Sequence, residues 1–297
     1  MNARPIVPED APLVAALARA DEEALRGLPS HIAADEVASW WTRADLTRDS
    51  WLYEENGAPV AAGWFQVWGG IGTSIGLVAQ GAKHRGLGAR LVERGEEAAA
   101  RHGVAKIHAF TLADDADAAT LFVSRGYREV RRFYEMAIEL AAEPVVPELP
   151  APLVLEPFRE DDARAFHHAT NEAFQDHWEW SGLPFDEWWA MRKGQDEDEH
   201  GHLWFVVRDG DEIAGVARNE ARSTAGYVGL LGVRRPWRGQ GLGKALLYRT
   251  FAEFWRRGLP RVSLGVDADS PTGATKLYER VGMTVESANV VFEKIDA

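Results

Sequence analysis

The 297-residue chain contains no cysteine. That absence excludes disulfides, thiolate metal sites and a cysteine nucleophile, and it suits a cytoplasmic protein. No apolar run reaches the length of a membrane span, and the opening MNARPIVPED lacks the apolar stretch of a secretory leader, so no membrane partner is expected. Positive charge is also scarce. The 33 Lys and Arg residues face 46 Asp and Glu, and the formal net charge of −13 is a poor match for a nucleic-acid backbone. The same excess of acid tolerates, or weakly attracts, a small cationic substrate. Against these absences stand 46% apolar residues, ample for packed cores, and a length that suits two ordinary domains.

The chain repeats itself. Gly86 and Gly88 in KHRGLGARLV recur as Gly241 and Gly243 in RGQGLGKALL, and the same spacing carries Leu91 to Leu246, Gly103 to Gly258 and Lys106 to Arg261. After one inserted residue the match continues from Leu121 to Leu277 and from Gly126 to Gly282. Trp51 and its hairpin similarly answer Trp204. A repeat of this size is a duplicated domain rather than a solenoid unit. Between the copies lies AAEPVVPELPAP, whose four prolines read as a stiff, extended connector. The boundaries expected from the repeat are residues 1–142 and 152–297, with a proline-rich linker at 143–151.

Each copy shows the same order of elements. A short strand leads into a helix opened by acidic residues, then two strands meet at a tight turn, Asn56-Gly57 in one copy and Asp209-Gly210 in the other. A third strand, a glycine-rich turn, a long helix, a buried strand, a short helix and a final strand follow. Antiparallel hairpins followed by strand-helix-strand predict an α+β (mixed α/β) fold, a mostly antiparallel sheet flanked by helices, present twice.

The glycine-rich turn, VRRPWRGQGLGKALL, admits three phosphate-binding readings. A Walker A loop requires Ser or Thr after Gly-Lys and a glycine five residues before the second one; here Ala245 and Arg238 occupy those positions, which excludes it. A dinucleotide fingerprint requires G-x-G-x-x-G after a parallel strand, whereas the spacing here is G-x-G-x-G behind hairpins. The third reading is Arg-x-x-Gly-x-Gly between a strand and a helix. In that form the turn, with VDADSPTGATKLYERVGM downstream, resembles the signature of the GNAT superfamily, the acyl-CoA-dependent N-acetyltransferases related to the yeast histone acetyltransferase. In the downstream segment Ser270, Ala274, Leu277, Tyr278, Gly282 and Met283 fall on the family's pattern, with Ser270 in place of its usual asparagine.

The resemblance implies acetyl-CoA as acyl donor, with coenzyme A as product, and direct attack of an amine on the thioester. It places Arg238, Gly239, Gln240, Gly241, Leu242, Gly243 and Lys244 around the diphosphate, where bare backbone N–H groups at a helix start favour negative charge. It implies that Leu231 and Val233 pair with the pantetheine arm, that the Val233 N–H serves as oxyanion donor, and that Ser270 lies near the arm. Tyr278 becomes the acid for the departing thiolate. Many relatives carry a glutamate on the strand before the turn. AGYVGLLGV has none, which leaves Glu220 on the preceding strand as a remote candidate base, with His167, His168 and His177 as others. The aromatic segment at residues 173–191 corresponds to the family's acceptor-lining region. His177, Trp178 and Trp180, with Tyr227, are expected to line the acceptor pocket, and Asp176 or Glu179 to hold an ammonium. Trp188 could stack on the acceptor or belong to the core. The acidic run 195–202 reads as a solvated loop, and its His200 and His202 lack convincing metal spacing, so no metal is expected.

In the first copy Val78, Lys83, Gly86 and Gly88 stand at corresponding positions and form a second candidate cofactor cradle. There Phe122 replaces Tyr278, and a phenyl ring has no proton to give. The reading is therefore a degenerate first domain and a catalytic second one, acting on a primary amine of a small molecule. A protein or peptide N-acetyltransferase and a non-catalytic acyl-CoA-binding module are the alternatives, and the tandem copies could act as a pseudo-dimer.

Overall fold

The computed structural model describes residues 3–192 and 203–295; His200 and His202 lie outside them. The chain forms two compact units, one comprising Met1–Phe133 with Ser287–Ala297 and the other Tyr134–Glu286. The first repeat supplies β1 (Ala3–Arg4), α1 (Ala11–Arg26), α2 (Ala34–Trp40), α3 (Leu46–Asp49), β2 (Ser50–Glu55), β3 (Ala58–Trp68), β4 (Ile71–Val78), α4 (Leu87–His102), β5 (Lys106–Leu112), α5 (Ala116–Ser124) and β6 (Arg128–Glu139). The second supplies β7 (Val154–Pro157), α6 (Ala163–Phe174), α7 (Phe185–Arg192), β8 (Trp204–Asp209), β9 (Glu212–Ala221), β10 (Gly226–Val233), α8 (Leu242–Arg256), β11 (Arg261–Asp267), α9 (Ala274–Arg280) and β12 (Thr284–Ile295).

Both units have the expected mixed sheet. In the first, the strand order is β1-β2-β3-β4-β5-β12, antiparallel except for the parallel pair β4/β5. In the second it is β6-β11-β10-β9-β8-β7, with β10/β11 parallel. The terminal strands do not stay with their own repeats. Residues of β12 complete the first unit, where Ile295 pairs with Lys106 and Asn289 with Leu112, and the later residues of β6 belong to the second. The boundaries suggested by the repeat describe the duplication; the compact units cut across it at these two strands.

Local chemistry explains the elements. Asn56 and Gly57 both take positive φ (53° and 79°), the backbone of a primed hairpin turn. In the second unit α8 covers one face of the sheet, with Leu247, Phe251 and Phe254 against Val228, Val262 and Leu264. Helix α6 covers the other, with Phe166 packed among Phe158, Trp204 and Val216. Trp188 joins this second cluster, 6.2 Å from the ring of Phe166, so it belongs to the core.

Contact between β10 and α8 depends on a missing side chain. A Cβ on Gly226 would fall 2.3 Å from the ring of Phe254, itself fully buried. Gly226→Ala should therefore destabilise the second unit by about 1–3 kcal/mol, the range for overpacking. Urea unfolding would detect this as a lower midpoint; an unchanged midpoint would show that Phe254 can swing away at no cost.

Candidate functional site

The site is built where two parallel strands part. β10 and β11 pair only at Gly226–Val262 and Tyr227–Ser263; beyond these residues no pairing continues. A register shift in β10 between Val228 and Leu230 accompanies the separation. Further along, the Arg234 N–H donates to the Ala214 carbonyl of the β9 side (2.9 Å). Strand alternation then turns the backbone groups of Leu231 and Val233 away from β9, toward the open edge. The Val233 carbonyl is already engaged there, accepting from Arg238 Nε at 3.0 Å.

The glycine turn closes the far end of this edge. Gly239 and Gly241 have φ of 80° and 87°, a backbone that glycine adopts without strain, and Gly241 is the N-cap of the 15-residue α8. No side chain caps the helix, so its first N–H groups face outward, and a Cβ on Gly239 or Gly241 would meet nothing within 4 Å beyond the adjoining backbone. Gly243 serves packing: its Cβ position is 3.0 Å from Leu277 of α9. Arg238 is committed to the backbone, donating to the carbonyls of both Val233 and Ala173 (3.0 and 3.1 Å), which ties the turn to β10 and to the end of α6. Leu242 is buried, whereas Lys244 and Gln240 are exposed, with Lys244 Nζ 5.4 Å from the ring of Tyr248. An uncapped helix start behind two glycines with no side chain fits a diphosphate.

Tyr278 lies on α9, in one cluster with Leu231 of β10 and Leu264 and Val266 of β11. It is 7% exposed, and burial pushes its phenol well above the ordinary tyrosine range. The hydroxyl therefore keeps its proton at any physiological pH. Ser270 sits in the loop before α9, its hydroxyl 3.0 Å from that of Thr272.

The structure separates the expected acceptor residues into two groups. His177 and Trp180 pack at a tilt against Phe174 (ring centroids 4.5 and 4.9 Å apart), and Phe174 reaches the Cβ position of Gly232 at 3.0 Å. The sequence reading passed over Phe174, the residue through which this aromatic group touches β10; its position at the end of an amphipathic helix was the available signal. Trp178 is half-buried beside them in sequence, Asp176 pairs with Arg235, and Glu179 is exposed. Tyr227 stands at the other end of β10, under the guanidinium of Arg222 at 3.6 Å. Opposite Tyr227 in register is Glu220, whose carboxylate accepts from Arg218 at 2.8 Å. Of the histidines, the His167 ring bonds the Leu183 carbonyl (2.8 Å) and packs on Trp188, a structural setting, and His168 is exposed on α6.

The first copy keeps the backbone of the cradle but fills it with acid. Gly86 caps α4 with φ 80°, and His84 takes φ 60° where the second copy has Gly239. Lys83 bridges Asp21 and Asp115, each at 3.1 Å. Burial opposes its charge, yet these two carboxylates still hold the ammonium above the ordinary lysine range. A cavity of about 280 Å³ beside it is lined by Lys83, His84, Asp114, Asp115 and Asp117 among others. Val78 ends β4 as Val233 ends β10, and Phe122 packs between Tyr127 and Phe292 (5.6 and 5.3 Å).

A parted parallel strand pair that ends at a glycine turn, with a buried phenol packed against both strands, is the arrangement expected of an acyl-CoA N-acyltransferase of the GNAT class. The sequence matches the acetyltransferase (GNAT) family over residues 15–127 and again over 157–283, and the chain belongs to that family. It is an N-acetyltransferase, and its acyl donor is acetyl-CoA. Among curated proteins it is similar to the mycothiol acetyltransferase of Salinispora arenicola, 35% identical over 63% of both chains. It is also similar to the mycothiol acetyltransferase of Geodermatophilus obscurus, 30% identical over 78% of both. Among solved structures, a GCN5-related N-acetyltransferase from Sphaerobacter thermophilus superposes with a TM-score of 0.86 at 33% identity, over 99% of this chain and 95% of that one. A tandem GNAT protein from the clavulanic acid biosynthesis pathway shares the fold, with a TM-score of 0.73 at 18% identity over 100% and 98% of the two chains. Among the described residues no helix is long and apolar enough to cross a membrane.

Proposed function

We propose that the second repeat, residues 152–297, transfers the acetyl group of acetyl-CoA to a primary amine of a small molecule in the cytoplasm, and that the first, residues 1–142, has lost catalysis. One observation carries this reading: the open edge of β10 ends in the glycine cradle and shares a cluster with a buried, protonated Tyr278. The curated relatives' name supports a small acceptor of the mycothiol type.

Acetyl-CoA supplies an activated acyl group; the chain supplies position and protons. The turn from Arg238 to Lys244 holds the diphosphate, with Gly239, Gln240, Gly241, Leu242 and Gly243 offering backbone and Lys244 a cation. Leu231 and Val233 pair with the arm, near Ser270, and the Val233 N–H donates to the thioester oxygen. Tyr278 gives its proton to the departing sulfur, whose conjugate acid has a pKa of about 8.5 as a free thiol. Glu220 of β9, paired with Arg218 and registered with Tyr227 near the start of β10, receives the amine proton through water. His177, Trp178 and Trp180, gathered about Phe174, and Tyr227 bound the acceptor.

Coenzyme release from acetyl-CoA, measured against a panel of small amines, tests this directly. Turnover on at least one amine is expected. Tight acetyl-CoA binding without turnover on any amine would leave an acyl-CoA-binding module instead.

The first cradle is not expected to hold a second acetyl-CoA, because its one lysine is already matched by two carboxylates. Titration calorimetry should give a stoichiometry of about one per chain, from the affinity arithmetic of a single site. A second equivalent bound with similar affinity would overturn that assignment.

A further inference from the structure

Gly265, in the middle of β11, is exposed although its neighbours Leu264 and Val266 are buried. A Cβ placed there would stand 3.4 Å from the Tyr227 hydroxyl and 3.6 Å from Glu135 Oε2. Two polar side chains, one from β10 and one from β6, thus meet above a residue that has no side chain. Pairing explains the convergence. β11 lies between β10 and β6, and Tyr227 is registered with Ser263, so Tyr227, Ser263 and Gly265 share the face opposite the Leu264 and Val266 core. On β6, Met136 packs into that core, which turns Glu135 to the Gly265 side.

Two further carboxylates and two guanidiniums stand around it. Asp267, two residues beyond Gly265 on the same face, is 7% exposed, and its carboxylate accepts the Asp269 N–H at 3.0 Å. Glu220 stands across from Tyr227 on β9, paired with Arg218, and the Arg222 guanidinium covers the outer side of the Tyr227 ring. The floor is a bare backbone, one wall a phenol and the other a carboxylate. This trough begins where β10 and β11 part, at the end of the open edge away from the glycine cradle.

We propose that this trough is the acceptor's amine-binding site, with Glu135 accepting hydrogen bonds from the acceptor's primary ammonium or amine, Tyr227 flanking it and Gly265 kept bare to admit it. The inference rests on the N-acetyltransferase reading and deepens it: the acceptor is a compact molecule with an unhindered primary amine, and a strand encoded in the first repeat supplies its anchor. Glu135 binds and orients the nitrogen; it is not assigned the proton transfer.

Two variants test the site. Glu135→Gln removes the charge at constant shape, and Gly265→Val fills the trough. The probes are cysteamine, glucosamine and putrescine. Each is examined for binding by ligand-observed NMR, which needs no turnover, and for acetylation by coenzyme release, while acetyl-CoA affinity reports on folding. For the amine bound best by the parent, Glu135→Gln should raise KM or Kd at least tenfold and leave acetyl-CoA affinity within twofold. Gly265→Val should abolish amine binding with the same acetyl-CoA control; if it fails to fold, Gly265→Ala, whose Cβ meets only ordinary contacts, should raise KM severalfold. Unchanged amine KM and Kd in Glu135→Gln would overturn the proposal, as would a parent chain that binds none of the three amines. Amine binding lost in the variants of a chain that turns over no amine would sustain this site while refuting the enzymatic reading.

Discussion

Tyr278→Phe should lower kcat by about 10²–10⁴-fold, the usual worth of a positioned acid, while leaving acetyl-CoA affinity nearly unchanged. The split follows from where the residue sits. Its ring belongs to the cluster that includes Leu231, Leu264 and Val266, so phenylalanine retains the packing and removes only the hydroxyl. No other described side chain in that cluster carries a proton donor except Tyr134 and Tyr248. Burial also fixes the pH behaviour. The phenol is held above its ordinary value, so the acid form persists through and beyond pH 10, and Tyr278 contributes no alkaline fall in kcat below that pH. The stability consequence has a definite sign. Because the folded state holds the proton more tightly, this contribution is fully present below about pH 10 and is lost as pH rises through the raised value. Steady-state kinetics of the variant, with coenzyme release as readout, decides the matter; a kcat within a factor of two of the parent would remove Tyr278 from the chemistry.

Gly241→Val should weaken acetyl-CoA binding by about 10- to 100-fold while changing kcat at saturation far less. At φ 87° a non-glycine residue is strained by about 1–3 kcal/mol, and a β-branched one lies at the upper end. The chain can relieve that strain only by rotating the turn, which re-aims the first N–H groups of α8. A cost of 1.4 kcal/mol is tenfold in affinity, which sets the expected range. The first repeat provides an internal control. Gly86 has φ 80° at the same place before α4, so Gly86→Val carries a similar strain. It should lower the unfolding midpoint yet leave acetyl-CoA affinity unaltered. Equal losses of affinity in the two variants would show that both cradles bind.

The turn itself was legible in the sequence because glycine at positive φ is a local requirement. Three glycines, a preceding strand and a following helix could be read without knowing any distant contact. The same holds for the fold class, since the hairpin turns and the repeat are patterns of neighbours in the chain. Arg238 shows the limit. Its position is fixed by the motif, but its two bonds go to carbonyls of Val233 and Ala173, the second far away in sequence, and only the folded chain brings them together. The division of the aromatic segment had the same cause. Trp180 and Trp188 are close in sequence and alike in type, yet Trp180 packs on Phe174 at the surface while Trp188 packs among Phe166 and Trp204. Helix pattern alone does not tell these faces apart when tryptophans stand on both. Gly265 and Glu135 were invisible for a stronger reason. Their meeting depends on which strand lies beside β11, and the repeat would have assigned that neighbour wholly to its own copy.

The placement of β12 has a consequence for how this protein can be dissected and made. Severing the proline-rich connector would not release two working halves: a fragment ending there would lack the partner of β5, and its complement would lack the neighbour of β11 that bears Glu135. During synthesis β5 must wait, one side unsatisfied, until nearly all of the second repeat has emerged. Such late pairing is slow and leaves an adhesive edge, so the nascent chain should depend on chaperones more than either repeat's size suggests.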